Sequence, residues 1–177
     1  DIFAPLIRTI RRRSIWLGIN LLTAFLASAV IGIFEATLEQ VIALAILMPV
    51  VASMGGIAGT QALTIAIRGM AIGRIGPANR HALVSRESLI GGANGLLWSS
   101  IVGLAAFLWF GDFKLGYVIA LAITVNLVVA ALLGSLLPGY LKARHIDPAL
   151  AGGVILTTVT DVVGFFCFLG IATLVYA

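Results

Sequence analysis

Asp161 lies in the run I-L-T-T-V-T-D-V-V-G-F-F (residues 155–166), where every other residue is apolar, small or a threonine. A carboxylate at bilayer depth costs about 2.5–3.5 kcal/mol on insertion scales, so something must compensate it. On a helix, Gly153, Thr157, Asp161 and Gly164 stack along one face, with Thr158 and Thr160 beside it. The two glycines leave room for a neighbouring helix, water or an ion, while Thr157 brings a hydroxyl and a carbonyl to the same depth. This stripe predicts a face turned to a polar seam and away from lipid. Three partners would satisfy the acid: a buried Lys or Arg, a proton, or a passing cation. No other apolar run carries a Lys or Arg, which weakens the first. A proton would leave a neutral acid hydrogen-bonded to a threonine; a cation would make Asp161 a ligand. Both remain open at this stage, and both fit the rule that intramembrane ionisable residues mark ion pathways.

One chain supplies one such acid, which points to a symmetric homodimer. A two-fold axis beside the last helix would bring two copies of Asp161 together across one pore. Paired carboxylates suit Mg²⁺, which prefers octahedral oxygen ligands and keeps several of its waters, whereas Ca²⁺ needs six to eight oxygens. Zinc, copper or nickel would call for His or Cys nearby. Cys167 is six residues from Asp161 and off its face, and His81 and His145 fall in segments between apolar runs. No nucleophile and base occur at plausible spacing within the apolar runs, so the sequence does not read as an enzyme.

The elements that hold these groups are helices in a bilayer. The chain has 177 residues, of which 61% are hydrophobic and 10% charged, with a mean hydropathy of +1.15; that is too little polar surface to cover a soluble globule. The reading is an all-α integral membrane protein with five spans, near 15–36, 41–70, 84–111, 114–142 and 149–176, each meeting the roughly 20-residue requirement for a crossing. Ten of the eleven Lys and Arg residues fall in alternate connecting segments: Arg8, Arg11, Arg12, Arg13, then Arg68, Arg74, Arg80, Arg86, then Lys142 and Arg144. The positive-inside rule makes those cytoplasmic, with the N-terminus inside and the C-terminus outside. The net charge of +4 therefore reports topology and anionic lipid contact, and no nucleic-acid partner is expected. Glu35 and Glu39, in an acidic turn on the outer side, would attract cations there. The chain begins at Asp1 without a Met, which reads as a piece of something longer.

The second span holds Pro49 and then G-G-I-A-G-T-Q (residues 55–61). Pro49 cannot donate to the carbonyl of Ala45, so the helix is expected to kink or open locally. Gly55 and Gly59 read first as helix packing; Gly56, Thr60 and Gln61 are pathway candidates. In the fourth span Asn126 reads equally as interhelical glue or as pore lining, and Pro138 frees the carbonyl of Gly134.

Two longer stretches carry a resemblance. D-P-A-L-A-G-G-V-I-L-T-T-V-T-D-V-V-G (147–164) resembles the pattern D-P-A-x-x-S-x-P-x-x-T-x-x-D-x-x-G of the MgtE magnesium transporters, and M-P-V-V-A-S-M-G-G-I-A-G-T-Q (48–61) resembles their P-x-x-x-x-x-G-G-N-x-G-x-Q. Phe34/Glu35, Arg86/Glu87, Asn126/Leu127 and Leu137/Pro138 also fall where that family places them. The match runs from Trp16 nearly to the end. The resemblance implies a homodimeric, five-helix Mg²⁺ channel of the cell membrane. Its central ion site would use Asp161 of both subunits, supported by the backbone around Gly153 and Thr157. It implies cytoplasmic regulatory domains before the first helix, with 1–14 as what remains of the linking helix. Solute-carrier relatives in animals share the pattern, and for them a Na⁺- or H⁺-coupled transporter of Mg²⁺ or another divalent cation is the alternative. Ile57, Gly152 and Val154 depart from the pattern, where the family has asparagine, serine and proline.

Overall fold

In the computed structural model, which describes residues 5–177, six helices account for nearly the whole chain: α1 (Leu6–Ile33), α2 (Glu35–Gln40), α3 (Ile42–Ala71), α4 (Arg80–Phe110), α5 (Phe113–Ala143) and α6 (Pro148–Tyr176). Five of them are long and apolar enough to cross a membrane. Apart from α1, they coincide with the expected spans to within four residues at each end. The exception is the start of α1, where the Arg8–Arg13 segment continues the helix upstream of the apolar stretch; residues 1–4 of the expected linking segment lie outside the described residues. The acidic turn is also helical, forming α2 with Glu35 in its first turn. A carboxylate there complements the exposed N–H groups.

The helices start and stop for local reasons. Asp147 caps α6, its Oδ1 accepting from the Ala149 N–H at 3.0 Å, and Pro148 follows at the first helical position; both choices suit a helix start. Asp112 caps α5 in the same way through the Lys114 N–H at 2.9 Å. Gly111 ends α4 in the left-handed conformation at φ +67°.

Helix α5 is the central post, packed against α3, α4 and α6. Close approach comes from small residues. Along α4, Glu87, Gly91, Gly95, Ser99 and Gly103 are buried at intervals of four, a stripe that continues for four turns. Toward the C-terminal end of α4 the backbones of α4 and α5 nearly touch: a methyl on Gly116 would lie 2.6 Å from the Gly103 carbonyl oxygen. Between α3 and α5, a methyl on Gly134 would meet the Gly59 carbonyl at 2.6 Å. Such small-residue contacts are how helices associate where lipid removes the hydrophobic incentive. One apolar cluster, around Leu44, Val51, Ile119, Ile123 and Phe168, fills the half nearer α2. A second, around Leu63, Leu137, Leu141 and Leu156, fills the other half. Helix α1 packs chiefly on α6 and exposes most of its apolar side chains.

Pro49 and Pro138 both sit inside continuous helices. The local opening expected of α3 is thus not found: the helix runs unbroken through residues 42–71. A proline in a membrane helix removes one hydrogen bond, and packing by neighbours holds the rest of the turn.

Candidate functional site

The register between α3 and α6 fixes the depth of Asp161. Gly164 faces Val51, Leu156 faces Gly59, and Gly152 faces Leu63, an antiparallel pairing that sets Asp161 level with Ser53 and Met54. Asp161 is half-buried, and among the described residues it has no ion-pair or hydrogen-bond partner. One turn along α6, Thr157 is exposed and its Oγ1 donates to the Gly153 carbonyl at 2.8 Å. Space beside Gly153 is open: a methyl there would meet nothing within 4 Å.

Thr157 is the α6 contribution to an open groove of about 480 Å³ whose other wall is α3: Ala52, Ser53, Gly56, Ile57, Thr60 and Gln61. Of the expected pathway residues, Gly56, Thr60, Gln61 and Thr157 come together here. Thr60 spends its hydroxyl on the Gly56 carbonyl at 2.8 Å, which leaves its oxygen lone pairs toward the groove. Gly55, Gly56 and Gly59 divide the labour of their motif. Gly55 faces Asn126 of α5 and Gly59 faces Leu156 of α6, each with no room for a methyl, while Gly56 opens on the groove.

Asn126, Thr160 and Gly164 lie elsewhere, inside the protomer. Asn126 is fully buried and its Nδ2 donates to the Val51 carbonyl at 3.2 Å, pinning α5 to α3. Its Oδ1 has no partner among the described residues. A methyl on Gly164 would lie 2.7 Å from that Nδ2, so Gly164 is small to admit the carboxamide. Thr160 is also fully buried, with its hydroxyl donated to the Leu156 carbonyl at 3.0 Å. Thr158 is half-buried and bonds the Val154 carbonyl at 2.7 Å. The stripe expected on α6 thus splits. Gly153, Thr157 and Asp161 stay on the outward side, whereas Gly164 and Thr160 are buried in the protomer core. Seven and eleven residues return to within about 20° of the Gly153 line, so the split is set by the neighbours at each level: Asn126 and Val51 close on Gly164, and nothing closes on Gly153. Asn126 takes the role of interhelical glue.

Glu35 and Glu39 are exposed on α2, at the end of the bundle where Thr37 and Thr173 share a hydrogen bond of 2.7 Å. Asp112 at this end is engaged structurally, as cap of α5 and as acceptor from the Tyr176 hydroxyl. Among the described residues, no three His, Cys, Asp or Glu side chains gather where they could hold a metal. A metal at Asp161 therefore needs ligands from a second copy, from carbonyls and hydroxyls, or from water.

With this geometry in view, the comparisons decide the family. A family model described as "Divalent cation transporter", MgtE, matches residues 48–171. The chain belongs to the MgtE family. It is 33% identical over 162 residues to the magnesium transporter MgtE of Bacillus subtilis, covering 92% of this chain and 36% of that protein. It is 31% identical over 159 residues to that of Thermus thermophilus (90% and 35%), and 28% identical over 163 residues to that of Enterococcus faecalis (92% and 36%). The chain spans about a third of the length of these relatives. With five apolar crossings and this membership, it is a multi-pass membrane protein.

Two of the departures from the MgtE pattern have clear surroundings. Ile57 is 58% exposed on the groove wall, so the groove is more apolar there than an asparagine would make it. Gly152 is buried with the Leu63 side chain 3.2 Å from where its methyl would be, and a serine would crowd that contact. Nothing in the structure explains why valine stands at 154.

One acidic residue enters the interior that the MgtE resemblance names only as half of the Arg86/Glu87 pair. Glu87 is 5% exposed and occupies the stripe that Gly91, Gly95, Ser99 and Gly103 continue. The signal that finds it is that four-residue period, which turns Glu87 toward α5 and leaves its neighbour Arg86 exposed.

Proposed function

We propose that this domain conducts Mg²⁺ across the cell membrane through a pore on the two-fold axis of a homodimer, with Asp161 of both copies binding the hydrated ion. The observation that carries the proposal is the groove itself. Ser53, Thr60, Gln61 and Thr157, with Asp161 one turn beyond, lie on the outside of a single protomer in the middle of two membrane-spanning helices. Exposed to hydrocarbon, that surface would carry the full desolvation cost of a carboxylate. Closed by a second copy, it becomes a polar conduit. The relatives' printed names, magnesium transporter, support the choice of ion.

The chemistry follows from the ligand types. Mg²⁺ gives up its waters reluctantly and binds through one or two carboxylates while retaining most of them. Two Asp161 carboxylates supply charge, and the groove's hydroxyls and carboxamides supply hydrogen bonds to retained water. The open space at Gly153 lets a hydrated ion approach the backbone. Glu35 and Glu39 concentrate cations at the acidic end, and the arginine-rich opposite end faces the cytoplasm. The inside-negative potential then drives entry: a double charge crossing 100 mV gains about 4.6 kcal/mol, at about 2.3 per charge. No chemical energy source is required.

Asp161→Asn preserves shape and removes the charge. In proteoliposomes loaded with a Mg²⁺-sensitive dye, the variant is expected to lose uptake while still eluting as a dimer. Uptake at the unmodified rate would refute the role of Asp161, and uptake that requires a Na⁺ or proton gradient would replace conduction with coupled transport.

A further inference from the structure

Away from the groove, a second and more enclosed cavity of about 90 Å³ lies between α3, α4 and α5. Its polar lining is Glu87 and Asn94 from α4 and Gln61 from α3, set among Ala58, Leu127 and Ala131. Glu87 is 5% exposed, yet among the described residues no Lys, Arg or His pairs with it and no side chain or backbone group hydrogen-bonds to it. It starts about 10 Å inside α4, seven residues from Arg80 at 1.5 Å per residue. Packing on the side facing α5 is too close for the chain to move aside: a methyl on Gly91, one turn on, would lie 2.5 Å from the Ala131 Cβ. Most of the side chain is buried, but its carboxylate oxygens keep contact with the cavity's open space, which places an unpaired negative charge on the cavity wall.

We propose that Glu87, Gln61 and Asn94 form a second cation site, distinct from the one at Asp161 and lying within each protomer. The ligand is a hard cation with some of its water. One carboxylate and two carboxamide oxygens are the donors that Mg²⁺ or Na⁺ takes and that soft metals do not. The cavity holds several waters at about 10–15 Å³ each, enough to complete the coordination. Access is built in from both sides. Gln61 lines this cavity and the α3–α6 groove alike. Glu87 also lines a wider vestibule of about 670 Å³ at the basic end, where Arg68, Arg74 and Arg86 stand. An ion here would tie α3 to α4, two helices that otherwise touch little.

The test uses the dimeric protein carrying Asp161→Asn, so that binding at the axis does not register, and reads the melting temperature with added MgCl₂ or NaCl at constant ionic strength. The site is expected to raise the melting temperature with one of the two salts, and the salt that acts identifies the ion. Adding Glu87→Gln should abolish the rise and, because it removes an uncompensated charge, should leave the cation-free protein as stable or more so. Asn94→Asp, which adds a carboxylate at the same cavity, should tighten binding about tenfold. A melting temperature indifferent to both salts, or an unchanged rise in the Glu87→Gln protein, would overturn the site. Either result leaves Asp161 and the conduction reading untouched, because that rests on flux in the protein with Asp161 intact.

Discussion

Asn126 illustrates how one side chain organises three helices. Its carboxamide reaches the Val51 carbonyl on α3 and fills space that Gly55 of α3 and Gly164 of α6 leave free. Interhelical hydrogen bonds of this kind average about 0.6 kcal/mol, so the shape match contributes as much as the bond. Gly164→Ala is therefore expected to destabilise the protomer by about 1–3 kcal/mol through overpacking. Combining it with Asn126→Ala removes the obstruction. A double-mutant cycle read by denaturation in detergent should show a coupling of about 0.5 kcal/mol or more; strictly additive effects would mean that the two residues do not meet. Asp161 and Asn126 were equally visible in the sequence as polar residues in apolar runs. Their opposite placements, one half-buried on the outside and one sealed within, depend on which way each helix is rotated. Rotation is set by Gly55 and Gly164 on neighbouring helices, so the fate of Asn126 was not readable from α5 alone.

At the scale of the elements, hydropathy was enough for the five crossings, because a bilayer imposes one length and one composition on every span. The Asp147-Pro148 start of α6 has a local cause, an N-cap aspartate followed by proline, though hydropathy alone placed the start of that span at 149. What eluded the sequence were features decided by neighbours: the unbroken course of α3 past Pro49, and the burial of Thr160. The α4–α5 seam makes a direct test. Gly103 and Gly116 oppose each other through backbone atoms that cannot rotate away. Gly116→Ala should therefore cost about 1–3 kcal/mol, where Gly18→Ala, on the open surface of α1 with nothing within 4 Å of the added methyl, should instead stabilise its helix by up to about 1 kcal/mol. Equal effects at the two positions would show that the seam is looser than described.

For the molecule as a whole, the unfinished surface is the informative one. The groove is open, carries the side chains of Ser53, Thr60, Gln61 and Thr157, and is flanked by Gly153, where an added methyl would meet nothing within 4 Å. Gly153→Trp should leave the fold of a single copy intact, since its Cβ would meet nothing within 4 Å and the position faces outward. In the dimer proposed above the same indole intrudes on the axis. Size-exclusion with light scattering is expected to show a shift toward monomer, or a dimer that no longer conducts; a conducting, unchanged dimer would move the axis away from α6.

The most direct measurement is a structure of the assembled protein in Mn²⁺, a denser stand-in for Mg²⁺ with the same preference for oxygen ligands. The proposal expects an anomalous peak on the two-fold axis, between the Asp161 side chains of the two copies and bordered by water. Asp161 side chains directed into lipid or packed hydrocarbon, with no metal between them, would contradict it.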